Sequence, residues 1–308
     1  MRIFGDLGEL DDDLRHGAVA IGNFDGVHRG HARIVERLLA AARRVGGLAT
    51  VFTFDPHPVR LLRPAQAPPP LTWTDRKVEL LGELGVDAMV AYPTDEALLA
   101  LTAREFFDRI IVGRLAARAL VEGPNFCFGH NREGTIETLH EFSQSSGLAL
   151  EIVPPVELDG QLVSSSRVRQ LVAAGDVGAA RRLLTQPYRI RGMVTHGAAR
   201  GAKLGFPTAN LDAIDTLLPA VGVYAGWAWT GGERHAAAIN IGPTPTFGER
   251  SLKVEVHLLD FHQTIYHQPL EVDFLARVRD VQTFAGPAEL QAQLQRDVAT
   301  TRRIVAEN

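Results

Sequence analysis

The sequence predicts an α/β protein of two domains, with a parallel sheet in the first and a small β-barrel in the second. The chain has 308 residues, a length typical of about two domains. Over the first 150 residues, short apolar runs alternate with helical patterns, which indicates βαβ units and a parallel sheet. After about residue 186 the segments become strand-like and are broken by glycine and proline, which favours a barrel.

In the first domain the apolar run AVAIG predicts a buried strand, and apolar residues at helical spacing follow it until Gly46. The predicted elements are strands at 18–22, 48–54, 87–91, 118–122 and 148–153 and helices at 31–46, 75–84, 95–115 and about 135–146. Ligands bind beyond the carboxyl ends of such strands, so the loops 22–31, 54–58 and 123–134 are candidate sites. The proline-rich stretch 64–70 is predicted to be a surface loop of this domain.

In the second domain, Gly231–Gly232 predicts a hairpin turn, and one helix at 287–305 closes the chain. We place the boundary near Pro187, which gives domains 1–186 and 187–308.

Composition excludes some classes of function. The formal net charge is −4, which argues against a general nucleic-acid binder. Cys127 is the single cysteine, so no internal disulfide can form. The acidic N-terminus has no signal-peptide pattern, and no stretch is apolar enough to span a membrane. We therefore expect a cytoplasmic protein without membrane partners, and the oligomeric state is not predicted.

The stretch GNFDGVHRGH (22–31) places His28 and His31 where a strand ends and a helix begins. Free backbone N–H groups and the helix dipole favour anions there, and Gly26 and Gly30 let the backbone approach a ligand. The imidazoles could donate hydrogen bonds to triphosphate oxygens as pyrophosphate leaves. The alternative is a metal site formed with His57 of TFDPHP, although no metal-binding motif supports it.

A second cluster, VSSSRVR (163–169), has three hydroxyls before a predicted helix, with Arg167 and Arg169 in its first turn. Hydroxyls, backbone N–H groups and guanidinium groups could together bind a phosphate. The alternative is that Ser164 or Ser165 only caps the helix.

These motifs resemble known ones. The first stretch carries the HxGH motif of the nucleotidylyltransferase superfamily, and VSSSRVR is similar to its ISSTxxR motif, with Ser166 at the usual Thr position. Together with TFDPHP and GPNFCFG (123–129), they resemble the adenylyltransferase module of bifunctional riboflavin kinase/FAD synthetases. The resemblance implies a Rossmann-like domain that transfers AMP from ATP to the FMN phosphate. A phosphate that is already largely a dianion needs positioning and charge neutralisation but no general base.

The resemblance also implies site residues. His28 and His31 are the catalytic candidates. The candidates for binding ATP and its phosphates are Gly22, Phe24, Asp25, Gly26, Gly30, Ser164, Ser165, Ser166 and Arg169. The candidates for the flavin and nucleotide loop are His57, Asn125, Phe126 and Phe128. Asn125 replaces a common Asp and Cys127 a common Arg, and one of the two phenylalanines could equally be ordinary core.

In the second domain the glycine-rich segment 191–211 could curve around a phosphate chain, and it contains no Walker A string. Thr208 and Asn210, two residues apart, would share one face of an extended segment and suit Mg²⁺. LGFPTANL resembles the riboflavin kinase signature, and NIGPTPTFG (240–248), VEVHLLDF and RDVQTF follow in the family's order. Ala202 stands where the family often has Arg.

This second resemblance implies a small β-barrel kinase in which Glu255 is the base for the riboflavin 5′-hydroxyl. From the residues alone, an exposed strand glutamate is the alternative. Mg²⁺ with ATP is the implied cofactor, with Thr208 and Asn210 as its ligands. The candidates for ATP binding are Gly192, His196, Gly197, Gly201, Lys203, Gly205 and Pro207.

The leading hypothesis is therefore a bifunctional enzyme that phosphorylates riboflavin to FMN and adenylylates FMN to FAD. Its partners are riboflavin, FMN and ATP, and neither nucleic acid nor membrane. Two alternatives stay open: one activity only, because Ala202 departs from the kinase pattern, or a non-catalytic flavin, nucleotide or RNA binder.

Overall fold

A computed structural model of the protein describes residues 1–197, 200–243 and 252–308, without the side chains of Arg200 and Lys203. The chain divides into two compact units. The first comprises Met1–Pro68 and Trp73–Ser164, and the second comprises Pro69–Thr72 and Ser165–Asn308.

The first unit is built on a six-stranded sheet in which every neighbouring pair is parallel. Its strands are β1 (Arg2–Phe4), β2 (Ala18–Ile21), β3 (Ala49–Asp55), β4 (Ala88–Pro93), β5 (Ala119–Glu122) and β6 (Ala149–Ile152). They lie in the order β1-β4-β3-β2-β5-β6. All four residues of β2 are buried, because β2 lies in the middle of the sheet and both of its faces are covered.

Two hydrophobic clusters lie on the two faces of this sheet. Ala18 and Ala20 of β2 belong to one, and Val19 and Ile21 belong to the other, as side chains alternate along a strand. The helices are α1 (Arg29–Val45), α2 (Val59–Leu62), α3 (Thr74–Glu83), α4 (Glu96–Ala100), α5 (Ala103–Phe106) and α6 (Ile136–Ser146). The predicted α/β architecture is confirmed.

Some predictions for this unit were incomplete. The helix predicted at 95–115 is interrupted: α4 ends, Thr102 and Glu105 form a capping box that starts α5, and a π-helical segment continues over Phe107–Arg114. A capping residue in mid-pattern satisfies new N–H groups and so permits a fresh start. The edge strand β1 and the short hairpin of β7 (Glu157–Leu158) and β8 (Gln161–Leu162) were not predicted.

The second unit is a closed six-stranded barrel followed by a long helix, as predicted. Its elements are α7 (Ser165–Ala173), α8 (Val177–Leu183), β9 (Tyr188–Thr195), α9 (Arg200–Lys203), β10 (Ala209–Asp212), β11 (Gly222–Thr230), β12 (Glu233–Pro243), β13 (Leu252–Leu258), β14 (Pro269–Arg279) and α10 (Pro287–Ala306). The strand order is β10-β13-β12-β11-β14-β9. Gly231 and Gly232 both have positive φ, 59° and 82°, which the two-residue turn between β11 and β12 requires.

Two segments assigned by sequence to the first domain belong to the second unit: α7–α8, and Pro69–Thr72 at the end of the proline-rich stretch, whose residues 64–68 stay in the first unit. In α7–α8, the Ala174 carbonyl accepts a hydrogen bond from the Arg277 guanidinium at 3.3 Å. In the proline-rich stretch, the Pro70 carbonyl accepts the Leu217 N–H at 3.0 Å. Such pairings join residues distant in the chain, so sequence pattern does not reveal them. The functional boundary between residues 186 and 187 stays a prediction.

Candidate active sites

The loop between β2 and α1 holds the two histidines in a fixed arrangement. His28 is the N-cap of α1, and its Nδ1 accepts the His31 N–H at 3.2 Å. The two rings are stacked with centroids 3.6 Å apart. A Cβ on Gly30 would lie 3.0 Å from the His28 ring, so the absent side chain makes room for that ring. Gly30 therefore serves the histidine directly, besides the ligand approach that the sequence suggested.

The same loop has a strained backbone that core packing holds in place. Phe24 and Val27 have positive φ values of 47° and 37°, which are unfavourable for such residues. Both side chains are buried in the core cluster, and the Phe24 ring lies 4.9 Å from the His31 ring. Gly26, with φ of 83°, occupies the left-handed region between them. Strain concentrated in one loop is typical of functional sites.

Both histidines are neutral at pH 7. Burial lowers the pKa of His28 to about 4, although the charge of Asp25 opposes that shift. Burial also lowers the pKa of His31 well below its ordinary value, and the charges of His28 and Lys77 act in the same direction. Because His28 Nδ1 is an acceptor, its proton lies on Nε2, which leaves an Nε2–H donor. The pair can donate hydrogen bonds without carrying charge.

The other predicted loops of the first unit have clear local roles. His57 Nδ1 accepts the Val59 N–H at 3.1 Å, at the start of α2. Phe128 is buried in the second core cluster and stacks on half-buried Phe126, with centroids 5.5 Å apart. Of the two phenylalanines, Phe128 is thus the core residue. Asn125 is exposed in the same loop.

The serine cluster differs in detail from the prediction. Because α7 begins at Ser165, Ser165 and Ser166 lie in its first turn, and only Ser164 precedes it. Arg169 is then in the second turn, and its Nε donates to the Pro69 carbonyl at 3.0 Å. The division between the two units falls between Ser164 and Ser165.

Three buried charged residues of the first unit are not predicted from the sequence: Arg76, which pairs with Glu79, and Lys77 and Glu122. Glu122, 2% exposed, accepts the Ile21 N–H at 2.7 Å through Oε1, and burial raises its pKa well above the ordinary value. Lys77, 8% exposed, donates to Thr53 Oγ1 at 3.2 Å. The available signal was position: Glu122 ends the apolar run ALVE, and Lys77 shares the apolar helical spacing of Leu80 and Leu81.

In the second unit a row of polar residues crosses four neighbouring strands of the barrel. Asn210 of β10 pairs in register with Thr195 of β9 and with Glu255 of β13, and Glu255 pairs with Asn240 of β12. Residues directly opposite one another share a face of the sheet. Since Val254 and Val256 are buried in the barrel, Glu255 between them belongs to the other face.

Glu255 is half-buried and held by two partners. Its Oε1 lies 3.0 Å from Lys253 Nζ, and its Oε2 accepts from Asn240 Nδ2 at 3.4 Å. About a third of its side chain is exposed, at 32%. The carboxylate is thus oriented and still accessible, unlike a freely exposed strand glutamate.

Asn210 has the character of a metal ligand. It is 6% exposed, and its Oδ1 is buried without a hydrogen-bond partner among the described residues. A Cβ on Gly197 would lie 2.1 Å from Asn210 Nδ2, so Gly197 can cover this amide only because it has no side chain. An unsatisfied buried amide oxygen fits a divalent cation, which prefers oxygen ligands. Thr208, the other predicted ligand, is half-buried just before β10.

The remaining predicted kinase residues lie elsewhere in the barrel unit or outside the described residues. The Pro207 carbonyl accepts His257 Nδ1 at 2.7 Å, and the His196 ring stacks on Tyr266 at 3.9 Å. Gly192 lies in β9, Gly201 in α9, and Gly205 has a positive φ of 87°. The Lys203 side chain and residues 244–248 of NIGPTPTFG lie outside the described residues.

The described residues hold neither a cluster of metal ligands nor a helix that could span a membrane. Within residues 1–197, 200–243 and 252–308, no three His, Cys, Asp or Glu side chains are grouped to hold a metal ion. In that same part of the chain, every helix is too short or too polar to cross a membrane.

Comparison with known proteins matches both halves. A family model described as FAD synthetase matches residues 10–167, and one described as riboflavin kinase matches residues 184–305. A bifunctional riboflavin kinase/FMN adenylyltransferase of Pseudomonas fluorescens is 38% identical, with 99% of this chain and 98% of the relative covered. The protein of the same name from Escherichia coli (strain K12) is 34% identical, with coverages of 98% and 97%.

A solved structure is similar to this chain over nearly its whole length. A crystal structure described as a macrolide-efflux protein from Streptococcus pneumoniae is similar with a TM-score of 0.87 and 31% identity, covering 97% of this chain and 98% of that one.

The fold and these matches define a transferase with a nucleotidyl-transfer unit followed by a phosphoryl-transfer unit. The chain belongs to the bifunctional riboflavin kinase/FMN adenylyltransferase family.

Proposed function

We propose that this protein makes FAD from riboflavin in two ATP-dependent steps, with the kinase step in the barrel and the adenylyl transfer in the parallel-sheet unit. The observation that carries the proposal is the presence of two chemically distinct sites, one in each matched region. One is a half-exposed carboxylate beside an unsatisfied amide, and the other a neutral histidine pair at a helix N-terminus.

In the kinase step the nucleophile is a neutral alcohol, so a base is needed. The Glu255 carboxylate takes the proton of the riboflavin 5′-hydroxyl, while Lys253 and Asn240 hold it in orientation. The alcohol oxygen attacks the γ-phosphorus of ATP, and ADP leaves.

The metal proposed for this step is Mg²⁺, held by Asn210 Oδ1 and the Thr208 hydroxyl. Family use of ATP indicates a divalent ion, and the unsatisfied Asn210 oxygen fits one. When bound, Mg²⁺ neutralises phosphate charge. Gly192, His196, Gly197, Gly201, Lys203, Gly205 and Pro207 are the proposed surroundings of the ATP phosphates.

In the adenylyl-transfer step the nucleophile is the FMN phosphate, which needs no base. An FMN phosphate oxygen attacks the α-phosphorus of ATP, and pyrophosphate leaves. His28 Nε2–H and the His31 ring donate hydrogen bonds to phosphate oxygens, helped by the backbone N–H groups that begin α1. Ser164, Ser165, Ser166 and Arg169 are proposed phosphate donors, and His57, Asn125 and Phe126 are proposed to contact the flavin or nucleotide.

The test supplies riboflavin and FMN separately. Purified protein with ATP and Mg²⁺ is expected to convert riboflavin first to FMN and then to FAD, and to convert supplied FMN to FAD, as followed by HPLC. FAD from FMN but no FMN from riboflavin would support the one-activity alternative. If folded protein forms neither FMN nor FAD, the proposal is refuted. The cytoplasmic location, and partners limited to riboflavin, FMN and ATP, stay predictions.

A further inference from the structure

The neutral histidine pair does not balance the negative charge of the phosphates in the adenylyl-transfer site. Both the FMN phosphate and the ATP triphosphate are anionic, and more negative charge develops on the leaving pyrophosphate. His28 and His31 are neutral at pH 7 because burial lowers both pKa values. They supply hydrogen bonds but no net positive charge, so cations outside the pair must balance the reacting phosphates. Arg169 is one such cation in the proposed function, and a second would stabilise the transferred phosphate further.

Lys77 is a cation that lies close to the loop that holds the two histidines. It projects from α3, and its ammonium donates to Thr53 Oγ1 at 3.2 Å. Thr53, fully buried near the carboxyl end of β3, donates in turn to the Asn23 carbonyl at 3.3 Å. Asn23 belongs to the loop that continues to His28. Lys77 is thus connected through one hydroxyl to the histidine loop.

The Lys77 ammonium also interacts electrostatically with the histidine pair. The positive charge of Lys77 helps to lower the pKa of His31. Burial lowers the pKa of Lys77, while the charges of Asp25 and Asp55 act in the opposite direction. Among the described residues, Lys77, Asp25, Asp55, His28 and His31 thus interact electrostatically around this point.

The ammonium is short of partners. Lys77 is 8% exposed, yet Thr53 Oγ1 is its one hydrogen-bond acceptor among the described residues, although an ammonium has three protons to donate. A buried charge is costly unless paired.

Two neighbouring groups are also unsatisfied. His31 Nδ1 and Asn23 Oδ1 are buried without hydrogen-bond partners among the described residues. A buried cation with spare donors, beside a loop in which His31 Nδ1 is also unsatisfied, is the arrangement expected of a site that awaits an anion. The Asn23 oxygen is an acceptor and awaits a donor instead.

We propose that Lys77 is a catalytic residue of adenylyl transfer, whose ammonium contacts a non-bridging oxygen of the ATP α-phosphate. The proposal rests on the proposed function of this unit. During the step, a bond forms between the FMN phosphate oxygen and the α-phosphorus, and the bond from that phosphorus to the bridging oxygen breaks. The electron pair leaves with pyrophosphate, and Lys77 keeps its proton throughout.

The principal test is Lys77→Met, which keeps the buried chain length and removes the charge. We expect kcat for FAD formation from FMN to fall about 100-fold or more, with KM for FMN and ATP changed less than about threefold. FMN formation from riboflavin, measured in the same sample, is expected to stay unchanged. Hydrogen exchange of the β2 amides checks that the first unit is folded.

Three further variants separate charge from structure. Lys77→Gln retains a donor for Thr53 without the charge, so we expect the same loss in kcat, and it replaces Lys77→Met if that variant does not fold. Thr53→Val removes the hydrogen bonds from Lys77 and to the Asn23 carbonyl but keeps the Lys77 charge, and we expect a loss below about tenfold. Arg76→Met is the matched control: it removes the adjacent buried cation, which pairs with Glu79 at 2.9 Å, and is expected to retain kcat.

Several outcomes would overturn the proposal. The first is a kcat that is retained in both Lys77→Met and Lys77→Gln, and the second is a change in KM alone. The third is an equal loss of kcat in Thr53→Val, because Lys77 would then only support the loop structurally. If wild-type protein makes no FAD from FMN, the proposed function fails. If wild-type and Lys77→Met make FAD equally well, only the role of Lys77 fails.

Discussion

The two candidate sites differ in the burial of their side chains and in whether the proposed reaction needs a base. In the barrel, about a third of the Glu255 side chain is exposed, with Lys253 and Asn240 as partners. In the parallel-sheet unit, His28 and His31 are buried and neutral. The difference follows the nucleophiles: an alcohol must lose a proton, whereas a phosphate dianion has none to lose. In the proposed mechanism, one chain thus uses a base in one unit and neutral hydrogen-bond donors in the other.

The largest expected effect is that of Glu255→Gln. Loss of the base should lower FMN formation by about 100- to 10,000-fold, whereas FAD formation from FMN should not change. HPLC of both reactions measures the effect. Glu233→Gln, which alters an exposed carboxylate at the start of β12, is the matched control and should retain both activities. Loss of both activities in folded Glu255→Gln would refute the separation of the sites.

The converse change is His28→Ala. Removal of one preorganised donor should lower FAD formation from FMN by about 100- to 1,000-fold and leave FMN formation unchanged. Steady-state assays with FMN and with riboflavin make the comparison. His140→Ala, on the exposed side of α6, provides a control histidine variant. If His28→Ala forms FAD at the wild-type rate, the histidines are not the phosphate donors.

A smaller effect is expected from Asn210→Ala. Loss of the unsatisfied amide oxygen should raise the Mg²⁺ concentration for half-maximal kinase activity about tenfold or more. A Mg²⁺ titration of both reactions tests this, and the adenylyl-transfer reaction, in which Asn210 has no proposed role, serves as internal control. An unchanged titration for the kinase reaction would remove Asn210 from the metal site.

The smallest expected effects are changes in the free energy of unfolding of the first unit when Glu122 is replaced. Glu122→Leu leaves the Ile21 N–H without an acceptor and should destabilise the unit by about 1–3 kcal/mol. Glu122→Gln keeps an acceptor and should cost far less. Hydrogen exchange of the β2 amides measures both free energies of unfolding.

The pH dependence of Glu122→Gln has a definite sign. The wild-type carboxyl has a raised pKa in the folded state, so its contribution to stability is present below the ordinary pKa and is lost as pH rises through the folded one. Glu122→Gln lacks this loss. Its stability relative to wild type should therefore improve from pH 5 to pH 8, and a constant difference would show that Glu122 is ionised in the folded protein.

Sequence pattern alone determined the architecture of both units. The buried run of β2, the helical spacing of α1, the turn at Gly231–Gly232 and the closing helix α10 are local features of the chain. Resemblance of short motifs indicated the two activities, because the residues of each motif are adjacent in the chain.

Tertiary structure alone decided the state of the site residues. Burial makes His28 and His31 neutral, strand register brings Asn210 and Glu255 together from 45 positions apart, and packing leaves Lys77 beside Thr53 with donors to spare. It also decided that α7 and α8 belong with the barrel. Protonation, register and burial depend on neighbours distant in the chain, and a local pattern of residues does not contain them.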